Sequence, residues 1–321
     1  MPEVLLEARN LKTYFYTAKG IVKAVDNVSF ELYKGEALGI AGESGCGKST
    51  LAYSLMRLVP PPGKLVSGEI IFQGRDITKL SEEEFRREVR WKGISMVFQG
   101  AMNALNPVYN IGDQLAEVLM LHQNYTKKEA LETAKKLLEM VGIEPRRIKS
   151  YPHELSGGMK QRVVIAMALA LMPPLVIADE PTTALDVVVQ AQVMNLLKRL
   201  RRELGLSVIL ISHDLSLIAE IADKIAIMYG GKIVEYGTSE QIYNNPQHPY
   251  TKGLLNSIPR LHGEIKDLTW IPGVPPDLIN PPPGCRFEPR CPFAHERCKE
   301  EPPVVEVEPG HKVACWLYVQ R

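Results

Sequence analysis

Hydrophobic and polar positions change rhythm several times along the chain. Apolar residues first recur in short, strand-like stretches: Val4-Leu-Leu-Glu-Ala8, Tyr14-Phe-Tyr16 and Val22 to Phe30, with a turn expected at Lys19-Gly20. Strand character continues through Gly68-Glu-Ile-Ile-Phe72, and Ser81-Glu-Glu-Glu84 has the form of a capping box that opens a short helix. From about 100 to 170 the period becomes helical. Thr126-Lys-Lys-Glu129 is a second capping box, and Ala130, Leu131, Ala134, Leu137, Leu138 and Val141 line one face before a C-terminal glycine, Gly142. Continuous apolar runs then return at Leu175-Val-Ile-Ala178 and Val208-Ile-Leu-Ile-Ser212, the pattern of strands buried on both faces of a parallel sheet. Helical stretches separate them, which predicts an α/β core with an α-helical insertion.

Beyond residue 258 this order is lost. Twelve of the 24 prolines fall between Pro259 and Pro309, which argues against long helices or central strands there. The expected organisation is therefore a domain over 1–258, with a helical subdomain at about 100–170, and a small irregular cysteine-rich domain over 259–321.

With 321 residues and 45% hydrophobic content, the chain suits about two globular domains. Basic residues number 38 against 37 acidic ones, a net charge of +1, so no basic excess marks a nucleic-acid binder. The longest apolar run, Val163 to Ala178, is shorter than a membrane span and contains Pro173-Pro174; it reads as a helix end, a turn and a buried strand. The N-terminus lacks the basic and apolar regions of an export signal, so a soluble, cytosolic chain is expected.

Gly42-Glu-Ser-Gly-Cys-Gly-Lys-Ser49 follows the apolar run Ala37-Leu-Gly-Ile-Ala41. Strand, glycine loop and lysine in that order form the phosphate-binding loop of nucleoside triphosphatases. Gly42, Gly45 and Gly47 let the backbone N–H groups of Ser44, Cys46 and their neighbours converge on phosphates. A helix starting near Lys48 and running through Thr50 points its positive dipole end at the same anion. Lys48 then reaches the β- and γ-phosphates, and the Ser49 hydroxyl ligates Mg2+. Leu175 to Glu180 is an apolar strand ending in two acids; Asp179 is placed to hold Mg2+ and Glu180 to polarise an attacking water.

Leu155-Ser-Gly-Gly-Met-Lys-Gln161 resembles the signature of the ATP-binding-cassette (ABC) family, L-S-G-G-x at a helix start. The resemblance implies a RecA-like core with an antiparallel β subdomain. It also implies that Ser156, Gly157 and Gly158 grip the γ-phosphate of ATP on a partner subunit, in a dimer closed by ATP. Gln99 resembles the residue that senses Mg2+ and water; Ala184-Leu-Asp186 resembles the loop that crosses the dimer interface. His213 resembles the switch histidine at the γ-phosphate. The family stacks adenine on an N-terminal aromatic, for which Phe15 fits best by spacing from Asn10-Leu11, with Tyr14 and Tyr16 as alternatives.

Four of the five cysteines lie late, at Cys285, Cys291, Cys298 and Cys315. In a reducing compartment such a group favours a metal over disulfides. The loose spacing suits a [4Fe-4S] cluster, while His295 and His311 keep Zn2+ open as the alternative. Asn245-Pro-Gln-His-Pro-Tyr-Thr251, Leu254-Leu, Pro259 and Cys285-Arg-Phe-Glu-Pro-Arg-Cys-Pro292 resemble the tail of dipeptide and oligopeptide importer ATPases, as does Phe98 to Pro107. That group implies an iron–sulfur cluster, a second ATPase subunit that is often a paralogue, two transmembrane permease subunits and an extracytoplasmic binding protein. It places the chain peripherally on the cytoplasmic face of the membrane. Nickel or another small solute is an alternative cargo. A soluble ABC ATPase acting on DNA or ribosomes is the rival class, opposed by the single cassette and balanced charge, and a regulatory redox tail is a third reading.

Overall fold

A computed structural model of the chain describes residues 3–257 and 271–319. Its strands are β1 (Val4–Thr17), β2 (Gly20–Tyr33), β3 (Ala37–Ala41), β4 (Gly63–Phe72), β5 (Arg75–Asp76), β6 (Ile94–Val97), β7 (Leu175–Asp179), β8 (Ser207–Ser212), β9 (Lys224–Tyr229), β10 (Lys232–Thr238), β11 (Val304–Glu308) and β12 (His311–Ala314). Its α-helices are α1 (Lys48–Leu55), α2 (Glu82–Glu88), α3 (Ile111–Gln123), α4 (Lys127–Met140), α5 (Gly157–Ala168), α6 (Val187–Leu204), α7 (Leu215–Ala219), α8 (Ser239–Asn244) and α9 (Pro249–Asn256). The chain folds into two compact units, one mainly of residues 79–209 with 33–36, the other of 4–32, 37–78 and 210 onward.

The first unit holds the expected helices. Both capping boxes form: Ser81 accepts from the Glu84 amide and Thr126 from the Glu129 amide, while each glutamate reaches back to its cap. Each satisfies amides that a helix start otherwise leaves unpaired. Ala130, Ala134, Leu137 and Leu138 form the buried face of α4, and Gly142 takes φ 74° just past its end. The apolar run from Val163 divides as expected, into the end of α5, a turn through Pro173-Pro174 and β7. Every residue of β7 is buried, and it pairs in parallel with β6, Ile94 opposite Leu175. Strands without a polar face need cover on both sides, which is why their sequence shows no alternation.

In the second unit, β2, β1, β4 and β5 form an antiparallel sheet in that order. A second sheet runs β11-β12-β10-β9-β3, with β3 and β9 parallel and the rest antiparallel. The tail therefore departs from expectation. Val304 to Ala314 makes a hairpin whose inner strand, β12, pairs with β10, Glu235 opposite Val313. Prolines 302, 303 and 309 flank the strands instead of interrupting them. The described residues from 271 cluster within the second unit; the expected boundary at 258/259 and Pro259 lie outside the described residues. No described helix is long and apolar enough to cross a membrane.

One buried group ties the tail hairpin to its neighbours. His311 Nε2 lies 2.7 Å from Glu235 Oε1, both side chains fully buried. Glu235 also accepts the backbone N–H groups of Gln247 and His248, at 2.7 and 2.9 Å. A buried carboxylate demands this many donors, so β10, β12 and the entry to α9 are held as one piece.

Candidate functional site

The phosphate loop is built where β3 ends. Gly42 and Gly47 take φ 154° and 104°, and a Cβ at either would lie 2.2 Å from the Met228 carbonyl oxygen or 2.0 Å from that of Ala24. No other residue fits such positions without moving backbone. Gly47 is the N-cap of α1, so the helix opens directly onto the loop. Lys48 Nζ is buried under the loop, donating to the Gly42 and Glu43 carbonyl oxygens at 2.7 and 3.0 Å. Ser44 and Gly45 are exposed on the loop's outer face, Ser49 and Thr50 are half-buried in the first turn of α1, and Cys46 is buried. Burial raises the Cys46 thiol above its ordinary range, the nearby Lys48 opposing it.

Support for the loop comes from behind. The Gly231 N–H donates to the Cys46 carbonyl at 2.9 Å. The Glu43 N–H donates to the Tyr250 hydroxyl at 2.8 Å. Arg290 Nη1 and Nη2 grip the two Glu43 carboxylate oxygens at 2.6 and 3.0 Å. Farther along, Thr13 and Ser54 hydroxyls share a buried hydrogen bond of 2.7 Å that fixes α1 to β1.

Of the three N-terminal aromatics, Tyr14 donates its hydroxyl to Asp26 at 2.7 Å. Burial and the Asp26 charge push that hydroxyl up to about 12. Phe15 packs beside Gly63, where an added Cβ would lie 2.6 Å from its ring, and Tyr16 is exposed with Lys64 Nζ 6.0 Å from its ring centroid. His213 stands exposed just past the end of β8.

The other half of the candidate set belongs to the first unit. Asp179 ends β7, fully buried. Glu180 follows at φ 45°, a left-handed conformation that a non-glycine residue adopts only at a cost of roughly 1–3 kcal/mol. Two donors hold its carboxylate there: Gln99 Nε2 at 2.9 Å and the Thr183 hydroxyl at 3.0 Å, both on Oε2. Gln99 and Glu180, separated by 81 residues in sequence, are thus brought together. Ser156 caps α5 by accepting the Met159 N–H at 3.3 Å, and Ser156-Gly157 is exposed at that helix start. Gly157 has room for a Cβ, its nearest atoms beyond 3.4 Å, whereas a Cβ at Gly158 would strike Val189 Cγ1 at 2.5 Å. Asp186 caps α6 through the Val188 and Val189 amides.

The four late thiols are mutually near. Cys291, Cys298 and Cys315 each act electrostatically on Cys285, and burial raises Cys285 to about 11. Backbone N–H groups two residues on, at Phe287, Phe293 and Leu317, donate to the sulfurs of Cys285, Cys291 and Cys315. Yet among the described residues no three His, Cys, Asp or Glu side chains converge tightly enough to hold a single metal ion. Neither the cluster nor the Zn2+ alternative gains support from this arrangement, and His311 is committed to Glu235. Arg286, Arg290 and Glu43 were missed in the sequence; two arginines spaced between cysteines in a proline-rich segment were the available signal.

The sequence profile described as ABC transporter matches residues 25–183, and one described as the C-terminal region of oligopeptide/dipeptide transporters matches 234–298. The chain is 50% identical to the dipeptide transport ATP-binding protein DppD of Bacillus subtilis, over 99% of this chain and 96% of that one. It is 48% identical to the oligopeptide transport ATP-binding protein OppD of Escherichia coli, covering 99% and 94%. Among solved structures, the dimeric ATP-binding cassette MJ0796 bound to ADP and phosphate superposes with a TM-score of 0.65 at 29% identity, covering 73% of this chain and 99% of that one. Over its whole length, then, this chain belongs to the ATP-binding-cassette transporter family, in the group of dipeptide and oligopeptide transport ATP-binding proteins.

Proposed function

We propose that this chain is the ATP-hydrolysing, energy-coupling subunit of an importer for di- and oligopeptides. The observation that carries the reading is near-full-length identity to peptide-transport ATP-binding proteins, together with an intact glycine-constrained phosphate loop. In this reading the amides of Gly42 to Thr50 and Lys48 neutralise the triphosphate, Phe15 stacks on adenine, and Ser49, Gln99 and Asp179 hold Mg2+. Phe15 is preferred over Tyr14 because the Tyr14 hydroxyl is committed to Asp26. Glu180 directs the attacking water in line, and His213 contacts the γ-phosphate. Ser156, Gly157 and Gly158 address the nucleotide of a second ATPase subunit, with Asp186 at that interface. The partners are that subunit, two permeases and an extracytoplasmic binding protein, at the cytoplasmic face of the membrane. The proposed domains remain 1–258, with helical 100–170, and 259–321. Chain pulled from membranes should carry two permeases and a second cassette, and those membranes should accumulate labelled dipeptide with ATP; accumulation of nickel but not peptide would move the cargo assignment.

We further propose that Cys285, Cys291, Cys298 and Cys315 hold a [4Fe-4S] cluster. In such a cluster each thiolate ligates a different iron, so the sulfurs need not meet at one point. The donor set, four near thiols of which three accept backbone N–H groups, fits that need better than it fits one ion. The cluster would supply order to a segment with little core of its own. Anaerobically purified chain should contain about four irons and four sulfides, a stoichiometry set by the cluster type; stoichiometric zinc without iron would reject the assignment.

A further inference from the structure

Glu43 is an acid inside an anion-binding loop. A carboxylate beside three phosphates opposes their binding unless its charge is answered, and a loop side chain unless fixed lets the loop wander. The Arg290 fork answers both needs. Its two nitrogens take both Glu43 oxygens, at 2.6 and 3.0 Å, with the arginine side chain only 4% exposed. Arg290 is itself held, by Nε to the Pro272 carbonyl at 2.7 Å and by Nη1 to the Tyr229 hydroxyl at 3.2 Å. Planar, bidentate and part-buried, this is the strong form of an ion pair, which a lysine cannot reproduce.

A second arginine of the same short segment braces the loop's other flank. Arg286 donates to the Gly230 carbonyl and pairs with Asp26, and the adjoining Gly231 N–H holds the Cys46 carbonyl. Arg286 and Arg290 lie between Cys285 and Cys291, so one strip of the tail supports the phosphate loop from two sides.

We infer that Arg290 is a positioning residue for ATP binding, acting through Glu43: it neutralises that carboxylate and fixes the loop around the triphosphate. The inference rests on the reading of Gly42 to Thr50 as the triphosphate grip. Tail and nucleotide affinity are thereby coupled, and by linkage ATP binding tightens the tail in return.

The test is a double-mutant cycle on the full chain, with MgATP affinity measured by titration and folding by melting curve. Arg290→Gln should weaken MgATP binding about tenfold, within the ~5–150-fold range of coupled sites. In the Glu43→Gln background the same substitution should change affinity less than about twofold, because the partner through which it acts is gone. If Arg290→Gln does not fold, Arg290→Lys replaces it, keeping the charge and losing the fork, with a several-fold loss expected only when Glu43 is present. Unchanged affinity in the folded variant, or an equal loss in both backgrounds, would overturn the inference. A native chain that does not bind MgATP would instead reject the nucleotide reading itself.

Discussion

Glu180→Gln binds ATP but turns it over at least about a hundredfold more slowly than the native chain, the loss expected when a general base or a preorganised charge is removed. The geometry makes the substitution clean. Two of the bonds that hold Glu180, from Gln99 and Thr183, reach a single oxygen, Oε2. A glutamine presents its own carbonyl oxygen to the same two donors, so the left-handed backbone at φ 45° keeps these two supports. What disappears is the negative charge that orients and deprotonates water. Steady-state phosphate release, paired with nucleotide titration, separates the two effects. Turnover within about threefold of native would assign the base to another residue, given that one positioned base is worth roughly a hundredfold or more.

Gly157→Asp should abolish turnover while leaving the chain's own ATP affinity within about twofold, since the substituted residue addresses the partner's nucleotide and energies at independent sites add. Gly157 is the right position because a Cβ there meets nothing closer than 3.5 Å, and an acid in the first turn of α5 agrees with the helix dipole. Folding is therefore spared. The new carboxylate, however, faces a second triphosphate if the signature acts across a dimer, and like charges within a few ångströms in a closed site repel by several kcal/mol. A loss of at least about a hundredfold follows from about 2.7 kcal/mol of barrier, at 1.36 kcal/mol per tenfold. Native turnover in this variant would mean that Ser156 to Gly158 merely caps a helix. Gly158 is unsuitable for the experiment, because its Cβ would collide with Val189.

Local constraints were the most legible part of the sequence. Both capping boxes, the glycine loop and the buried strands β7 and β8 are each specified by a few adjacent residues, and each stands where the pattern put it. A count of prolines does not show the tail hairpin, because their positions matter: Pro303 and Pro309 bracket five residues free to pair, and β11 forms there. Arg290 and Glu43 are 247 residues apart, and no local pattern announces that they meet. Alternation left the adenine-stacking residue open because both faces of β1 have partners. Thr13 on one face bonds Ser54, and Tyr14 on the other bonds Asp26. Spacing of the cysteines could not separate a cluster from a single ion; that distinction lies in how sharply the sulfurs converge.

Peptide-stimulated ATP hydrolysis by the complex purified from membranes bears most directly on the assignment. With the binding protein present, adding a di- or oligopeptide should raise phosphate release several-fold, a conformational coupling of ordinary size, and Glu180→Gln should remove the stimulated rate. Hydrolysis that ignores peptide, or stimulation that survives in Glu180→Gln, would contradict the account.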